Sequence, residues 1–293
     1  MPRRATTTGK NVMIGAALVA SVLCPDLALG RDGGGDDGST AASQPPNIYL
    51  DLTTTYTTVP ANTLSIGFGG PPLVGSLPTA SFPASRNLGI NAPLTVDVSD
   101  QVSLFGGVHA TTTSTDITPW TPLTLDSWNF GFQADVYKQK GGSFPTVTVQ
   151  STMIRSTSGS PLATTISDSY VEFSYALDKD ETRGLIAGAK YTRIFVDTQL
   201  ATVSPDAIGY VGAYYQWPNN WKLTGYAGIQ SFGGAQLLNL VTLPGFTQPI
   251  VRADLDRMDD SDNRLFGLTA VVAWTPKPSF QVVLRTPLYA VRH

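Results

Sequence analysis

Residues 126–138 read Asp-Ser-Trp-Asn-Phe-Gly-Phe-Gln-Ala-Asp-Val-Tyr-Lys. Every second residue from Trp128 to Val136 is apolar, and the residues between them are polar or small. Because successive side chains of a β-strand point to opposite faces, this segment predicts a strand with one apolar and one polar face. The segment exceeds the ~5–6 residues of an ordinary globular strand and matches the ~9–11 residues of a strand that crosses a bilayer.

The same period of two recurs along the chain after residue 46. Segments 48–56, 90–98 and 266–274 each place mostly apolar residues at alternate positions. No apolar run of 18 residues, as expected for a spanning helix, follows residue 30. We therefore predict twelve strands, at about 47–57, 62–69, 88–98, 102–112, 126–138, 145–155, 168–177, 184–195, 207–217, 221–231, 264–275 and 280–291.

The predicted connections differ in length. Short ones at 99–101, 140–143, 218–220 and 276–278 are interspersed with long ones at 70–87, 113–125, 156–167, 196–206 and 232–263. Short turns on one side and long loops on the other are typical of outer-membrane barrels. The fold class predicted for 47–293 is all-β, a closed antiparallel transmembrane β-barrel of about 12 strands and of outer-membrane type. With these strands both chain ends lie on the long-loop side, against the usual arrangement, so either the strand count is wrong at each end or the long loops face inward.

The first residues have the order of an export signal. Arg3, Arg4 and Lys10 precede the uncharged 13-residue run Val12–Cys24, and the small residues Ala28 and Gly30 follow on either side of Leu29. The run is shorter than the ~20 residues that span a bilayer as a helix. We expect a cleaved signal peptide over 1–30 and a flexible leader rich in Gly, Asp, Ser and Pro over 31–46.

The composition excludes several classes of function. Charged residues make up 14% of the chain, roughly half the ~25% of a soluble domain, and the net charge of −3 offers no basic surface for nucleic acid. A single Cys and two His leave little for a disulfide framework, a metal site or a hydrolase. The acidic run at 251–264 lacks the Gly and Glu positions of an EF-hand, and three arginines there can pair with its acids. We expect no enzyme, no catalytic residue, no metal and no cofactor.

The polar faces of the strands would line the lumen, because an Arg or Lys on the lipid face at the membrane midplane costs about 2–4 kcal/mol. Two interpretations stay open: a structural network of acid–base pairs, or a lining that selects solutes. The candidate lumen residues are Asp51, Asp97, His109, Asp135, Glu172, Lys190, Lys222 and Arg285.

Aromatic residues near strand ends predict a girdle at the lipid headgroups. The four candidates are Trp128, Trp217, Trp221 and Trp274. The segment Leu237–Phe246 is too apolar for an exposed loop, and we expect it to fold into the barrel mouth as a constriction.

Several turn sequences carry a family resemblance. They are Val-Ser-Asp-Gln-Val-Ser-Leu at 98–104, Gln-Trp-Pro-Asn-Asn-Trp at 216–221, Trp-Thr-Pro-Lys-Pro-Ser-Phe at 274–280 and Arg-Thr-Pro-Leu-Tyr at 285–289. Over about 88–290 the chain resembles the Gram-negative MetA-pathway of phenol degradation family, also labelled an outer-membrane transporter family. The resemblance implies a barrel of roughly twelve strands and a channel for small, often aromatic, compounds.

The leading functional hypothesis is an outer-membrane channel for passive passage of small aromatic or amphipathic solutes. The alternatives are a structural or adhesive barrel with a closed lumen, and an exported soluble β-rich binding protein. The partners expected for the leading hypothesis are outer-membrane lipid, the barrel-assembly machinery and a small-molecule solute, with no nucleic acid. The sequence identifies neither the solute, nor the direction of movement, nor the oligomeric state.

Overall fold

The structure is a computed structural model. It describes residues 46–61, 63–66, 73–76, 83–139, 143–157, 163–197, 201–237, 241–259, 264–274 and 277–291. The predicted signal peptide and all of the predicted leader except Pro46 lie outside these residues. None of the described residues forms a helix long and apolar enough to cross a membrane.

Twelve long strands form one sheet. They are β1 (Ile48–Val59), β4 (Ser85–Ser99), β5 (Val102–Thr115), β6 (Thr124–Tyr137), β7 (Thr146–Ser156), β8 (Thr164–Ala176), β9 (Arg183–Val196), β11 (Asp206–Gln216), β12 (Trp221–Phe232), β15 (Phe246–Met258), β16 (Arg264–Trp274) and β17 (Pro278–Val291). Five short strands lie in the connections: β2 (Thr63–Ile66), β3 (Leu73–Ser76), β10 (Ala201–Val203), β13 (Ala235–Leu237) and β14 (Val241–Leu243).

The long strands close into a barrel. Each pairs antiparallel with the next long strand in the chain, and β17 pairs with β1 to complete the circle. Closure leaves no unpaired strand edge, which is what a structure that spans hydrocarbon requires. The predicted all-β, closed, antiparallel barrel of twelve strands is confirmed.

The two ends of the barrel differ. One end, here the short-turn end, carries the β4–β5, β6–β7, β8–β9, β11–β12 and β15–β16 turns and the first and last residues of the barrel, Ile48 and Val291. The opposite end, the long-loop end, carries the 60–84, 116–123, 157–163, 197–205 and 233–245 connections and one short turn at 275–277. The chain ends therefore share a side with the short turns, which is the usual arrangement for this fold.

One predicted strand and one predicted loop were wrong, and the two errors compensate in the strand count. Among the described residues, segment 62–69 contributes β2, which pairs with β3 in a separate two-stranded sheet, and Gly69–Gly70–Pro71–Pro72 interrupts the apolar pattern after Phe68. Segment 232–263 is not one long loop, because it contains barrel strand β15. Exchanging one strand for the other keeps the count at twelve and moves both chain ends to the short-turn end.

The alternation along each strand separates two faces. Phe130, Val211 and Ile229 are more than half exposed on the outer face, whereas Gln230 and Gln248 are fully buried on the inner face. In β9 the exposed residues Leu185, Ala187 and Ala189 alternate with less exposed inward ones. Apolar side chains thus point outward and most polar ones point inward, the inverse of a soluble protein.

An apolar cluster lines the inner face towards the long-loop end. Ile166, Ile194, Phe232 and Ala235 are buried together there. Ile154, Val196, Val203 and Phe246 pack against them, so the cluster joins five barrel strands to the short strands β10 and β13. This cluster fills part of the lumen next to that mouth.

Candidate functional site in the barrel interior

A tyrosine-rich network lies on the inner face near mid-height. The Tyr210 hydroxyl donates to Glu172 Oε2 at 2.9 Å, and the Tyr210 and Tyr226 rings meet edge to face with centroids 5.5 Å apart. The Arg252 guanidinium lies 5.2 Å from the Tyr226 ring centroid and pairs with Asp254 at 2.8 Å. These contacts connect β8, β11, β12 and β15 around the lumen.

Glycine on β9 makes room for this network. Gly188 lies on the inner face opposite Glu172 and Tyr210 in the register. A Cβ at Gly188 would lie 2.5 Å from the Tyr210 hydroxyl oxygen, closer than atoms approach without displacement. The Tyr210 side chain can therefore reach across β9 to Glu172 only because β9 has no side chain at this position.

A second polar group lies nearer the long-loop end. Lys190 pairs with Asp168 at 3.0 Å, and the Thr192 hydroxyl donates to the same carboxylate at 2.5 Å. Beside it, Gln248 Nε2 donates to Gln230 Oε1 at 2.6 Å, and Gln230 Nε2 donates to Asp206 Oδ2 at 3.0 Å. The apolar cluster lies between this polar group and the mouth at the long-loop end, since Asp206 and Phe232 are cross-strand neighbours.

The inward-facing histidine has an acidic partner. His109 Nδ1 lies 2.8 Å from Asp126 Oδ1, and the hydroxyls of Thr111 and Ser127 donate to the same carboxylate at 2.8 and 2.9 Å. A bulge in β6 turns Asp126 inward at this point. Near the long-loop end, the Asp126 carboxylate thus has hydrogen-bond contacts with three other side chains.

The strand register places all eight candidate lumen residues on the inner face: Asp51, Asp97, His109, Asp135, Glu172, Lys190, Lys222 and Arg285. They do not form one site. Asp97 accepts from Ser103 at 2.6 Å, and Asp135 accepts from Thr148 at 2.8 Å and pairs with Lys138 at 3.6 Å.

Three candidates remain. Asp51 and Arg285 lie on β1 and β17, the two strands that close the barrel, and Lys222 lies near the short-turn end. Lys222 lies 4.5 Å from the Tyr214 ring centroid. Arg285 lies opposite Thr53, and Asp51 lies opposite Pro287, so the two charged residues are not direct cross-strand partners.

Sequence reasoning missed seven inner-face charges: Asp126, Asp168, Asp206, Arg252, Asp254, Asp256 and Arg264. Four of them lie in β15 or at the start of β16. The sequence pattern predicts a loop over most of this region, because its charged residues hide the alternation. The signal was present, because Val251, Ala253 and Leu255 alternate with the charged residues and form an uncharged outer face. Arg252 pairs with Asp254 and Arg264 pairs with Asp256, so the expected Arg–Asp pairing forms on the barrel wall.

The four girdle candidates lie at the two ends. Trp128 and Trp274 point outward near the long-loop end, and both are more than one-third exposed. Trp217 and Trp221 flank the β11–β12 turn at the short-turn end, where Trp217 meets Tyr215 edge to face and Arg257 lies 5.8 Å from the Trp221 ring. Aromatic residues therefore occur at both levels where a bilayer surface would lie.

In the described ranges no group of three or more His, Cys, Asp or Glu side chains is arranged to hold a metal ion. The arrangement offers tyrosine rings, carboxylates and paired cations along a wall, which suits weak and reversible contacts with a passing solute.

Comparison with solved structures gives the same fold. The COG4313 outer membrane channel from Pseudomonas putida F1 has 8% sequence identity and a TM-score of 0.52, with 87% of this chain and 100% of that chain covered. The transport unit of the autotransporter AIDA-I from Escherichia coli has 10% identity and a TM-score of 0.50, with 92% and 96% covered. The chain has the fold of an outer-membrane β-barrel. Identities this low establish the fold alone.

The sequence matches no protein-family model and no curated protein. The resemblance of the turn sequences to the MetA-pathway family stays a prediction.

Proposed function

We propose that this chain is an outer-membrane channel of a Gram-negative bacterium for passive passage of small aromatic or amphipathic solutes. The observation that carries the proposal is the separation of faces: a closed barrel with an apolar outer face and an inner face of tyrosines and charges. A polar inner face suits a conduit, because it can exchange hydrogen bonds with water and solute.

The inner face also suits amphipathic cargo. Tyr170, Tyr210 and Tyr226 present ring surface at mid-height, and the apolar cluster around Phe232 follows towards the long-loop end. A solute with a flat apolar body and a polar group would find contacts of both kinds along one wall. That the COG4313 protein of the same fold is named an outer membrane channel agrees with this assignment.

The proposal includes export and membrane insertion. The segment 1–30 would direct export and be removed, and the barrel-assembly machinery would insert residues 47–293. The Trp pairs at the two ends would anchor the barrel at both lipid headgroup levels.

A closed structural or adhesive barrel is the second candidate, and one observation favours it. The apolar cluster and the fully buried pair Gln230 and Gln248 fill the interior near the long-loop end. A barrel sealed by them would conduct nothing, and its loops would bind a partner outside the cell.

Liposome swelling separates the two candidates. Vesicles that contain refolded protein are placed in isosmotic arabinose or isosmotic phenylalanine, two solutes of similar size that cross lipid slowly. A channel predicts swelling in both, faster in phenylalanine. Swelling no faster than in vesicles without protein would favour the closed barrel.

A matched pair of variants tests the tyrosine lining. Tyr210 points inward and Tyr215, on the same strand, points outward. Tyr210→Ala should change the ratio of phenylalanine to arabinose entry at least twofold, whereas Tyr215→Ala should leave it unchanged. Equal effects of the two variants would remove the tyrosines from solute selection.

A further inference from the structure

Most inner-face charges are paired with each other. Three ion pairs have a side-chain nitrogen within 3.0 Å of a carboxylate oxygen: Lys190–Asp168, Arg252–Asp254 and Arg264–Asp256. Such pairs stiffen the wall and contribute little net charge to the lumen. Selection by charge must therefore come from the groups that remain.

Outside these three pairs, the described strand residues of the inner face include more carboxylates than Lys and Arg side chains, the latter being Lys222 and Arg285. Among the described residues, the inner-face carboxylates without an ion pair are Asp51, Asp97, Glu172 and Asp206. Three of them accept a hydrogen bond from a neutral side chain instead: Asp97 from Ser103, Glu172 from Tyr210 and Asp206 from Gln230. Carboxylates on a low-dielectric wall focus a negative potential into the lumen, which raises the local concentration of cations.

Asp206 supplies an independent observation. It is 4% exposed, and its Oδ1 atom has no hydrogen-bond partner in the described part of the chain. Gln248, 1% exposed, lies at the other end of the same chain of hydrogen bonds, and its Oε1 also has no hydrogen-bond partner among the described residues. A buried acceptor without a donor costs about 1–3 kcal/mol, and more when it is charged. Both orphan atoms are acceptors, so the group that satisfies them must donate hydrogen bonds.

Glu172 also favours a hydrogen-bond donor, and its side chain is more exposed than that of Asp206. Its carboxylate lies among the Tyr170, Tyr210 and Tyr226 side chains and is only partly buried. Ring faces attract cations, and the Arg252 guanidinium against the Tyr226 ring shows that these rings already hold one inside the lumen. An incoming ammonium would meet a carboxylate and aromatic surface together.

We propose that the interior prefers solutes with a positively charged, hydrogen-bond-donating group on an aromatic or apolar body, and that Glu172 and Asp206 receive that group. The inference rests on the proposed channel function and names its substrate class. The tyrosines and the apolar cluster beside Asp206 contact the body of the solute, and the two carboxylates contact its ammonium.

Calorimetric titration of the refolded full chain in detergent tests the preference without relying on conduction. Benzylammonium, benzyl alcohol and benzoate share a ring and differ in charge. We expect benzylammonium to bind at least tenfold more tightly than the other two. The double variant Glu172→Gln with Asp206→Asn should lose this tenfold difference in affinity. Asp116→Asn, in an exposed loop at the long-loop end, should keep it.

The reversal potential in a KCl gradient is the second readout. We expect the wild-type channel to favour K⁺ over Cl⁻ at least threefold, and the double variant to lose at least half of that preference. A heat-dependent shift in electrophoretic mobility verifies that each variant is folded.

The outcomes separate this inference from the channel function. Conduction with no cation preference and equal binding of the three ligands would overturn the inference and leave the channel intact. A silent barrel that binds benzylammonium selectively would overturn the channel function and keep the binding preference. Filling of the orphan acceptors by water alone predicts equal, weak binding of all three ligands and counts against the inference.

Discussion

Phe132 and Gln133 are neighbours in the chain and point to opposite sides of the barrel wall. Phe132 lies beside Leu104 on the outer face. Gln133 lies on the inner face, where its Oε1 is 3.5 Å from the Tyr170 hydroxyl oxygen. Phe132→Arg should therefore place a charge in hydrocarbon and cost about 2–4 kcal/mol, since Arg near the midplane costs that much. Gln133→Arg should cost less, because the inner face carries acids and polar groups.

Denaturant titration in lipid vesicles measures both free energies of unfolding. The adjacent positions make each variant the other's control for chain position and strand propensity. Equal losses would show that the alternation does not correspond to a lipid face and a lumen face.

Asp197, directly after β9, should respond to acid. The Arg155 guanidinium donates to its carboxylate, with one N–H···O distance of 2.7 Å, and this hydrogen bond holds the pKa of Asp197 below its ordinary value. A lowered folded-state pKa contributes stability above the unfolded value of ~3.9 and loses it as the pH falls through the folded value. The contact should therefore persist at neutral pH and fail in strong acid.

Hydrogen exchange at the Asp197 amide, which donates to the Ala163 carbonyl at 3.0 Å, measures this attachment. Relative to the intrinsic rate, protection should fall below about pH 4. In Asp197→Asn protection should vary little with pH, and Asp116→Asn should behave as wild type. An unchanged acid response in Asp197→Asn would assign it to another group.

At the scale of elements, the apolar cluster at the long-loop end is the part of the interior most like a soluble core. Phe232 is 2% exposed and packs against Phe246 with ring centroids 5.4 Å apart. Phe232→Ala should cost about 3–5 kcal/mol, the usual loss for a buried Phe. Phe280→Ala on the outer face, where the ring is half exposed, should cost less in the same vesicle titration. Equal costs would mean that the cluster is not packed as described.

The same cluster should limit flow. The apolar segment Leu237–Phe246 predicted a constriction, and Phe246 does pack against the cluster from β15, while residues 238–240 lie outside the described ranges. Phe246→Ala should raise single-channel conductance at least twofold, because it removes a ring beside the mouth. Unchanged conductance in the folded variant would place the narrowest point elsewhere.

Strand β6 was predictable because both of its faces follow the period of two over more than ten residues. Strand β15 was not, since Pro249 and four charges between residues 252 and 257 resemble a loop when the outer face is not inspected separately. Segment 62–69 shows the opposite error, because Leu64, Ile66 and Phe68 alternate correctly and are cut short by Gly and Pro. Periodicity predicts the faces of a strand more reliably than it predicts whether the strand joins the barrel.

For the whole molecule, sequence could predict which side chains point inward and could not predict which of them meet. Glu172 and Tyr210 are 38 residues apart on strands separated by β9, and they meet because the register sets both opposite Gly188, which has no side chain between them. Arg285 and Asp51 lie on paired strands, yet the register sets Arg285 opposite Thr53 and Asp51 opposite Pro287. The network is thus a property of register and closure, which local patterns do not encode.

The proposed function depends most on this closed barrel being an open path across a membrane. Single-channel recording of the refolded full chain in a planar bilayer tests for that path directly, with folding checked by the heat-dependent mobility shift. An open path predicts discrete, stepwise openings at fixed voltage, with larger steps in Phe246→Ala. Persistent silence of both the wild type and Phe246→Ala, each folded and inserted, would contradict it.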